Sequence, residues 1–437
     1  METIILALRA VNFKLPKWLS GLYEVLLGEL RDKAQAYLNE QLREMVKEGL
    51  GRDWHQRRKK AKKGSGMFEC LRCGTRYRRQ FSRNGYRKRS LELALGRLQI
   101  EVPRLVCQCG GSVKLNLPGL KRWQRFSAEL ETLIQHWRAL GYSLRQMQQE
   151  LQESWQSQVS LSSLNQRLQP LAQPLEHWAK QPLSQTPPVV LLDAIWLKLL
   201  IQTGQLKKDK AGRRRQLKKR VKRPLLMALG LWPEQGHYQV LDWELGQGPG
   251  EDKNSWLSLL NRLTERGLEP DFGLQLFITD GGGGLLGALH ELFPKVPRQR
   301  CVFHKIRNVL GQLQLSESLS KQQQLAYGQK IARQLALIWQ APTQPEAEKR
   351  YRLFCQAWQA SEPQAVATLQ RDFNDTLTFY TLQAQNRLWP ASFLRTTSLL
   401  ERLNRKIRAR LRLAGAFHSK TGLLAMLALV FPLAPPP

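Results

Sequence analysis

The chain contains, near its middle, the stretch Val189-Val190-Leu191-Leu192-Asp193-Ala194-Ile195-Trp196-Leu197, an apolar run with a single acid inside it. A short apolar run of this length is typical of a strand buried on both faces. Similar runs follow at hairpin distances, at residues 225–232 and 238–243. The basic residues 207–223 lie between the first two runs and predict an exposed β-loop. The stretch therefore begins a sheet whose first three strands are joined by hairpins.

Helices and strands alternate after these hairpins. The predicted elements are a helix at 255–266, a strand at 274–280, a helix at 285–293 and a short strand at 300–303. This order predicts an RNase H-like mixed sheet rather than a doubly wound one. Residues 305–388 show only helical pattern. Trp339 and Trp358 within them, and Trp389 just after them, fit core positions better than stacking partners for an unpaired base. Residues 396–412 predict a basic helix.

Three acids are candidates for a metal site. Asp193 lies within an apolar strand and Asp280 ends another, positions that acids avoid unless they are paired or bind a cation. Two carboxylates on neighbouring strands can hold Mg²⁺, and a third from a helix at the same sheet edge completes a two-metal site for phosphodiester chemistry. Glu401, on the basic helix, suits the third role. From spacing alone, an ordinary salt bridge explains Glu401 equally well.

Four of the six cysteines fall within 40 residues, as the pairs Cys70 with Cys73 and Cys107 with Cys109. Two close thiolate pairs suit tetrahedral Zn²⁺, and four protein ligands leave no position for a reacting water. The spacing predicts a structural, zinc-ribbon-like module, with four buried free thiols as the alternative. Six cysteines in 437 residues also argue against a disulfide scaffold.

Two further N-terminal regions have helical pattern. Residues 18–50 predict an amphipathic helix. Residues 128–170 predict shorter helices, of which the last two are typical of a helix-turn-helix, with Asn165 and Arg167 on its second helix. An ordinary helical hairpin with a polar outer face is the alternative.

The charge balance indicates a polyanionic partner. The chain has 68 Lys+Arg against 35 Asp+Glu, a formal net charge of +33 and an isoelectric point near 10.4. Nucleic acid is therefore the first partner to consider. The run at 57–63 predicts a phosphate-contacting arm rather than a solvated tail. The predicted DNA-binding side chains are Arg57, Arg58, Lys59, Lys60, Asn165, Arg167, Arg213, Arg214, Arg402, Asn404, Arg405 and Arg408.

A resemblance to a known family rests on ordered motifs. These are Ile278-Thr279-Asp280-Gly281-Gly282-Gly283-Gly284-Leu285, Arg298-Gln299-Arg300-Cys301-Val302-Phe303-His304-Lys305 and Thr396-Thr397-Ser398-Leu399-Leu400-Glu401-Arg402-Leu403-Asn404. Over about residues 125–425 the chain resembles the Mutator-type transposases of bacterial insertion sequences. The resemblance implies a DDE transposase on an RNase H-like fold, with an all-helical insertion before the glutamate.

The resemblance also implies roles for particular residues. Asp193, Asp280 and Glu401 match the family's three metal-binding acids. Cys301 and His304 match its Cys/Asp-x-x-His signature, which lies near the active site. Two departures, an alanine after the first acid where glycine is common and Ser398 where asparagine is frequent, leave all three carboxylates in place.

The expected protein is a multidomain α/β transposase. It binds double-stranded DNA at terminal inverted repeats and at the target, as a homodimer or larger assembly, and cleaves and joins strands with Mg²⁺ or Mn²⁺. No signal peptide or membrane helix is expected, which predicts a bacterial cytoplasmic, nucleoid-associated protein. A catalytically silent or domesticated DNA-binding protein is the alternative, and an RNA-guided nuclease fits less well because the cysteine pairs precede the catalytic domain.

The predicted organisation follows the chain in seven segments. They are an N-terminal helical region with a basic arm (1–63), a zinc-ribbon-like module (64–120), a helix-turn-helix region (121–172), a linker (173–188), the first part of the RNase H-like core (189–305), an all-helical insertion (306–395) and a C-terminal catalytic helix region (396–430).

Overall fold

The computed structural model describes residues 17–53, 68–93, 96–115, 125–155, 157–208, 212–315, 320–414, 417 and 419–431. The predicted arm with Arg57, Arg58, Lys59 and Lys60 lies outside these residues. The chain divides into two compact units. The N-terminal unit comprises Met1–Trp137 with Leu144–Arg167, and the C-terminal unit comprises Arg138–Ser143 with Leu168–Pro437. No described helix is long and apolar enough to cross a membrane.

The N-terminal unit combines helices with two small sheets. Its elements are α1 (Lys17–Leu50), β1 (Phe68–Cys70), β2 (Phe81–Leu93), β3 (Gly96–Cys107), β4 (Val113–Leu115), α2 (Ala128–Ala139), α3 (Leu144–Trp155) and α4 (Leu161–Leu168). Strand β1 pairs with β4 and β2 pairs with β3, both antiparallel. Helix α1 buries Val46 and Leu50 at its C-terminal end, whereas Val25, Leu26 and Leu30 are exposed. The helix of 18–50 is thus confirmed, but Val25, Leu26 and Leu30 of its apolar stripe are not buried.

The C-terminal unit contains a five-stranded mixed sheet. Its strands are β5 (Val189–Lys208), β6 (Arg214–Trp232), β7 (His237–Leu245), β8 (Leu276–Thr279) and β9 (Arg298–Arg300). They lie in the order β7-β6-β5-β8-β9. The first three pair antiparallel, as the hairpin spacing predicts, and β8 and β9 add in parallel. The mixed α/β architecture is confirmed.

Helices cover both faces of this sheet. They are α5 (Ala172–Trp178), α6 (Lys253–Glu265), α7 (Gly283–Leu292), α8 (Val302–Leu310), α9 (Lys321–Trp339), α10 (Gln344–Trp358), α11 (Pro363–Gln370), α12 (Thr378–Gln385), α13 (Ala391–Leu394), α14 (Ser398–Ala414) and α15 (Lys420–Val430). Side chains alternate along β5, so Leu191 and Ile195 join the core with α14, and Val190 and Leu192 join the core with α6 and α7.

Three sequence predictions about elements need correction. The strand expected at 300–303 ends at Arg300, and Val302–Leu310 is a helix because Val302, Lys305 and Val309 recur at helical spacing and are buried. The linker expected at 173–188 begins with a helix that buries Ala172 and Leu175. The basic β-loop expected at 207–223 is strand over most of its length.

Candidate active site and cysteine cluster

The register of the central strands brings Asp193 and Asp280 side by side. Leu191 on β5 pairs in parallel with Ile278 on β8, and each acid lies two residues beyond that pair. The chain then turns through Gly281, whose φ is +85°. A Cβ at Gly281 would lie 2.8 Å from the Arg300 guanidinium, so this turn requires glycine. The Gly282 N–H donates to Asp280 Oδ1 at 3.0 Å and fixes that carboxylate.

Asp193 is buried on the sheet face that α14 covers. Asn404 on α14 donates from Nδ2 to Asp193 Oδ2 at 2.8 Å. Burial, helped by the carboxylates of Asp280, Glu401 and Glu251, raises the pKa of Asp193 to about 7. Such a carboxyl is costly to ionise unless a cation lies beside it.

The sequence predicts that Asn404 contacts DNA, but in the structure this residue is buried. It is only 1% exposed, so its side chain is not available to touch DNA, and its Oδ1 has no hydrogen-bond partner within the described chain. Helix α14 has a three-to-four-residue period, which turns Asn404 inward together with Leu400 and Leu403 while Arg405 faces solvent.

Glu401 lies in the first turn of α14. Its Oε1 is 3.5 Å from Thr397 Oγ1 and 3.5 Å from His304 Nε2. Among the described ion pairs Glu401 has none with a Lys or Arg, so the ordinary salt bridge that its sequence context allows does not form there. The arginines that follow it, Arg402, Arg405 and Arg408, are exposed.

The Cys301–His304 pair lies against the same glutamate. The backbone N–H and Oγ1 of Thr397 both donate to Cys301 Sγ, at 3.4 and 3.3 Å. Ligand atoms of Cys301, His304 and Glu401 all lie within 4.8 Å of one another. Burial lowers the pKa of His304, and its Nδ1 has no partner among the described residues. The structure thus brings this pair to the candidate site.

Sequence reasoning missed Glu251, a fourth carboxylate at this site. Glu251 precedes α6 and is half-buried, and burial followed by the Asp280 carboxylate raises its pKa. A Cβ at Gly284 would collide with the backbone carbonyl of Glu251, which shows how closely this loop meets the start of α7. The segment Gly248-Pro249-Gly250-Glu251 at a helix start is the sequence signal that was available.

The four N-terminal cysteines converge. Their sulfur atoms all lie within 4.8 Å of one another, with Cys70 Sγ 3.5 Å from Cys109 Sγ and Cys73 Sγ 3.8 Å from Cys107 Sγ. Four sulfurs around Zn²⁺ at about 2.3 Å would be about 3.8 Å apart. Backbone N–H groups, chiefly that of Cys73, lower the pKa of Cys70 to about 6. The cluster can therefore hold a zinc ion.

The other predicted DNA-binding residues have varied surroundings. Arg213 and Arg214 are exposed at the tip of the β5–β6 hairpin. Asn165 is half-buried on α4. Arg167, on the same helix, lies 3.2 Å from Glu131 and over the Phe126 ring. Helices α3 and α4 supply the two helices of the predicted helix-turn-helix.

Comparison with known proteins identifies the family. Residues 66–433 match the family model "Transposase, Mutator family", so the chain belongs to the Mutator family of transposases. This confirms the resemblance found in the sequence.

Individual relatives agree with this assignment. The chain is 27% identical to the transposase of insertion sequence element IS406 from Burkholderia multivorans. The alignment spans 356 residues and covers 81% of each protein. It is 26% identical over 354 residues to the IS256 transposase in transposon Tn4001 from Staphylococcus aureus, covering 78% of each. A solved Drosophila P element transposase strand transfer complex aligns at a TM-score of 0.26 and 11% identity, over 69% of this chain and 77% of that one.

Proposed function

We propose that this transposase cleaves and joins DNA strands through Asp193, Asp280 and Glu401, acting as a DDE metal site. The observation that supports the proposal is the parallel register of β5 and β8, which puts Asp193 and Asp280 two residues beyond the same pair, together with the electrostatic influence of Glu401, from the first turn of α14, on Asp193. The strand order, with three antiparallel strands followed by two parallel ones, supports an RNase H-like fold. The chain belongs to a transposase family, and the proposal adds which of its residues carry out the reaction.

The donor set suits hard divalent cations. The proposed ligands are carboxylate oxygens, which Mg²⁺ and Mn²⁺ prefer, and Glu251 adds a fourth carboxylate nearby. Bound Mg²⁺ would activate the attacking water or 3′-hydroxyl and stabilise the leaving oxygen. Asn404 orients Asp193 through its amide, and Gly282 orients Asp280 through its backbone N–H. Cys301 and Thr397 fix the start of α14, which carries Glu401.

We further propose that Zn²⁺ at the four N-terminal cysteines has a structural role. Two sulfur pairs, at 3.5 and 3.8 Å, are close to the separation of a tetrahedral zinc site, and Cys70 and Cys107 are themselves part of a buried apolar cluster with Phe68 and Phe81. A metal there would fix the ends of β1 and β3.

Double-stranded DNA is the proposed partner. The net charge of +33 and the exposed arginines on α14 support it. Two element ends must be joined in one reaction, so we propose a homodimer or larger assembly on DNA, bound at terminal inverted repeats.

The test is cleavage of a labelled duplex that carries the inverted repeats flanking the gene. The full chain with Mg²⁺ is expected to nick at the repeat end, and Asp280→Asn is expected to bind the duplex but not nick it. The exposed Asp271→Asn is the matched control and should nick as wild type does. If wild type binds without nicking in Mg²⁺ and in Mn²⁺, the catalytically silent DNA-binding alternative replaces the proposal.

A further inference from the structure

The hairpin between β5 and β6 extends well beyond the core. Residues 201–208 and 212–220, which we name the basic ribbon, are all exposed, although they pair as far as Lys208 with Arg214, with a register shift between Gln202 and Leu206. Strands of a compact unit normally bury at least one face. At about 3.3 Å per residue the ribbon is roughly 25 Å long. Nothing in the described part of the chain covers either of its faces.

The ribbon is strongly cationic. Residues 201–220 contain nine Lys or Arg and one Asp. Cations lie directly opposite each other across the strands, as in Lys208 with Arg214. Like charges in such pairs destabilise a hairpin unless an anion lies beside them. The charge pattern therefore favours a polyanion rather than an apolar partner, since Ile201, Leu206 and Leu217 are isolated among the cations.

The shape of the ribbon selects among polyanions. The major groove of duplex DNA is about 12 Å wide and admits a two-stranded β-ribbon. Amide side chains of Gln202, Gln205 and Gln216 are interspersed with the cations, and amide and guanidinium groups are those that contact adenine and guanine edges in that groove.

We propose that the basic ribbon enters the major groove of the DNA on which the active site works and contacts base edges there. The inference deepens the proposed function and rests on it for the DNA substrate. Asp193 and Ile201 lie on the same strand, eight residues apart, which is about 26 Å. With a rise of about 3.4 Å per base pair, the ribbon's contacts are expected roughly 8 base pairs or more from the cleaved bond.

The experiment uses the full chain and a duplex carrying the inverted repeat. Binding is measured together with protection of guanine N7, a major-groove atom, from methylation. Wild type is expected to protect guanines 8 or more base pairs from the cut. The double variant Arg214→Gln/Lys218→Gln should lose that protection and at least tenfold in affinity. The matched control, Lys349→Gln/Arg352→Gln on α10, removes the same charge from exposed positions and should change affinity less than threefold.

The outcomes separate the inference from the proposed function. If the ribbon variant weakens binding without altering N7 protection, or if the control loses as much affinity, the ribbon does not enter the groove. If wild type shows the distant protection but never nicks DNA, the ribbon proposal stands and the catalytic proposal fails. If Asp280→Asn keeps the full protection while it loses nicking, both proposals are supported.

Discussion

Replacing Asp193 with asparagine is expected to stabilise the metal-free protein at alkaline pH. Burial, together with the carboxylates of Asp280, Glu401 and Glu251, raises the pKa of Asp193 from 3.8 to about 7. Asparagine is neutral at every pH. Its Oδ1 can still accept the hydrogen bond that Asn404 donates at 2.8 Å, so the substitution removes the charge while it retains the contact.

The direction and size of this change in unfolding free energy follow from proton linkage. Between about pH 4 and pH 7 the folded protein holds a proton on Asp193 that the unfolded chain has released, so its free energy of unfolding falls as the pH rises. A shift from 3.8 to about 7 corresponds to a loss of at most about 4 kcal/mol, which is complete above the folded-state pKa. The asparagine variant does not incur this loss.

The assay is urea unfolding followed by tryptophan fluorescence at pH 5 and pH 8, in buffer without divalent metal. Asp193→Asn is expected to exceed wild type in unfolding free energy, by more at pH 8 than at pH 5. The exposed Asp271→Asn should match wild type at both pH values. Added Mg²⁺ should stabilise wild type and leave Asp193→Asn nearly unchanged. A variant that is less stable than wild type at pH 8, or a gap that does not widen with pH, would refute the reasoning.

Three further changes test other parts of the structure. Cys73→Ser removes one of four converging sulfurs. Metal analysis should find that bound zinc falls from about one ion per chain to near none, and retention of zinc would contradict the proposed four-cysteine zinc site. Asp242→Ala leaves Arg262 without the buried carboxylate that it contacts at 3.0 Å. This should lower the free energy of unfolding in urea by about 3 kcal/mol, and a loss under about 1 kcal/mol would contradict the reasoning. Gly284→Ala forces a methyl group into a neighbouring carbonyl and should cost about 2 kcal/mol, whereas Gly283→Ala, with open space around it, should not destabilise; equal effects would show that α7 adjusts freely.

The strands of the C-terminal unit were predictable because local pattern decides them. A buried strand needs a short apolar run, and the runs at 189–197, 225–232, 238–243 and 274–280 each contain or overlap a strand of the sheet. The strand ends were harder to predict. Strands β5 and β6 continue as a paired ribbon through polar sequence, since their hydrogen bonding to each other does not depend on burial.

The surroundings of the candidate site depend on contacts that no local pattern records. Asn404 follows Asp193 by 211 residues, and only the packing of α14 on the sheet reveals that its amide reaches the carboxylate. Because α14 is rich in arginine, the sequence predicts that Asn404 faces DNA. The helical period instead turns Asn404 to the buried side of α14, together with Leu400 and Leu403.

Strand β5 connects the two proposals physically. Residues 189–195 of the strand are buried between two cores and include Asp193, whereas residues 201–208 are exposed and end in two lysines. A carboxylate whose pKa is raised by burial needs a packed core around it, and a groove-binding ribbon needs free faces. One continuous strand provides both because burial ends near Leu199, which still bridges Phe417, and beyond Leu200 the described part of β5 pairs only with β6. The hydrogen-bonded strand fixes the distance between them, so the position of DNA on the ribbon would set which phosphodiester reaches the acids.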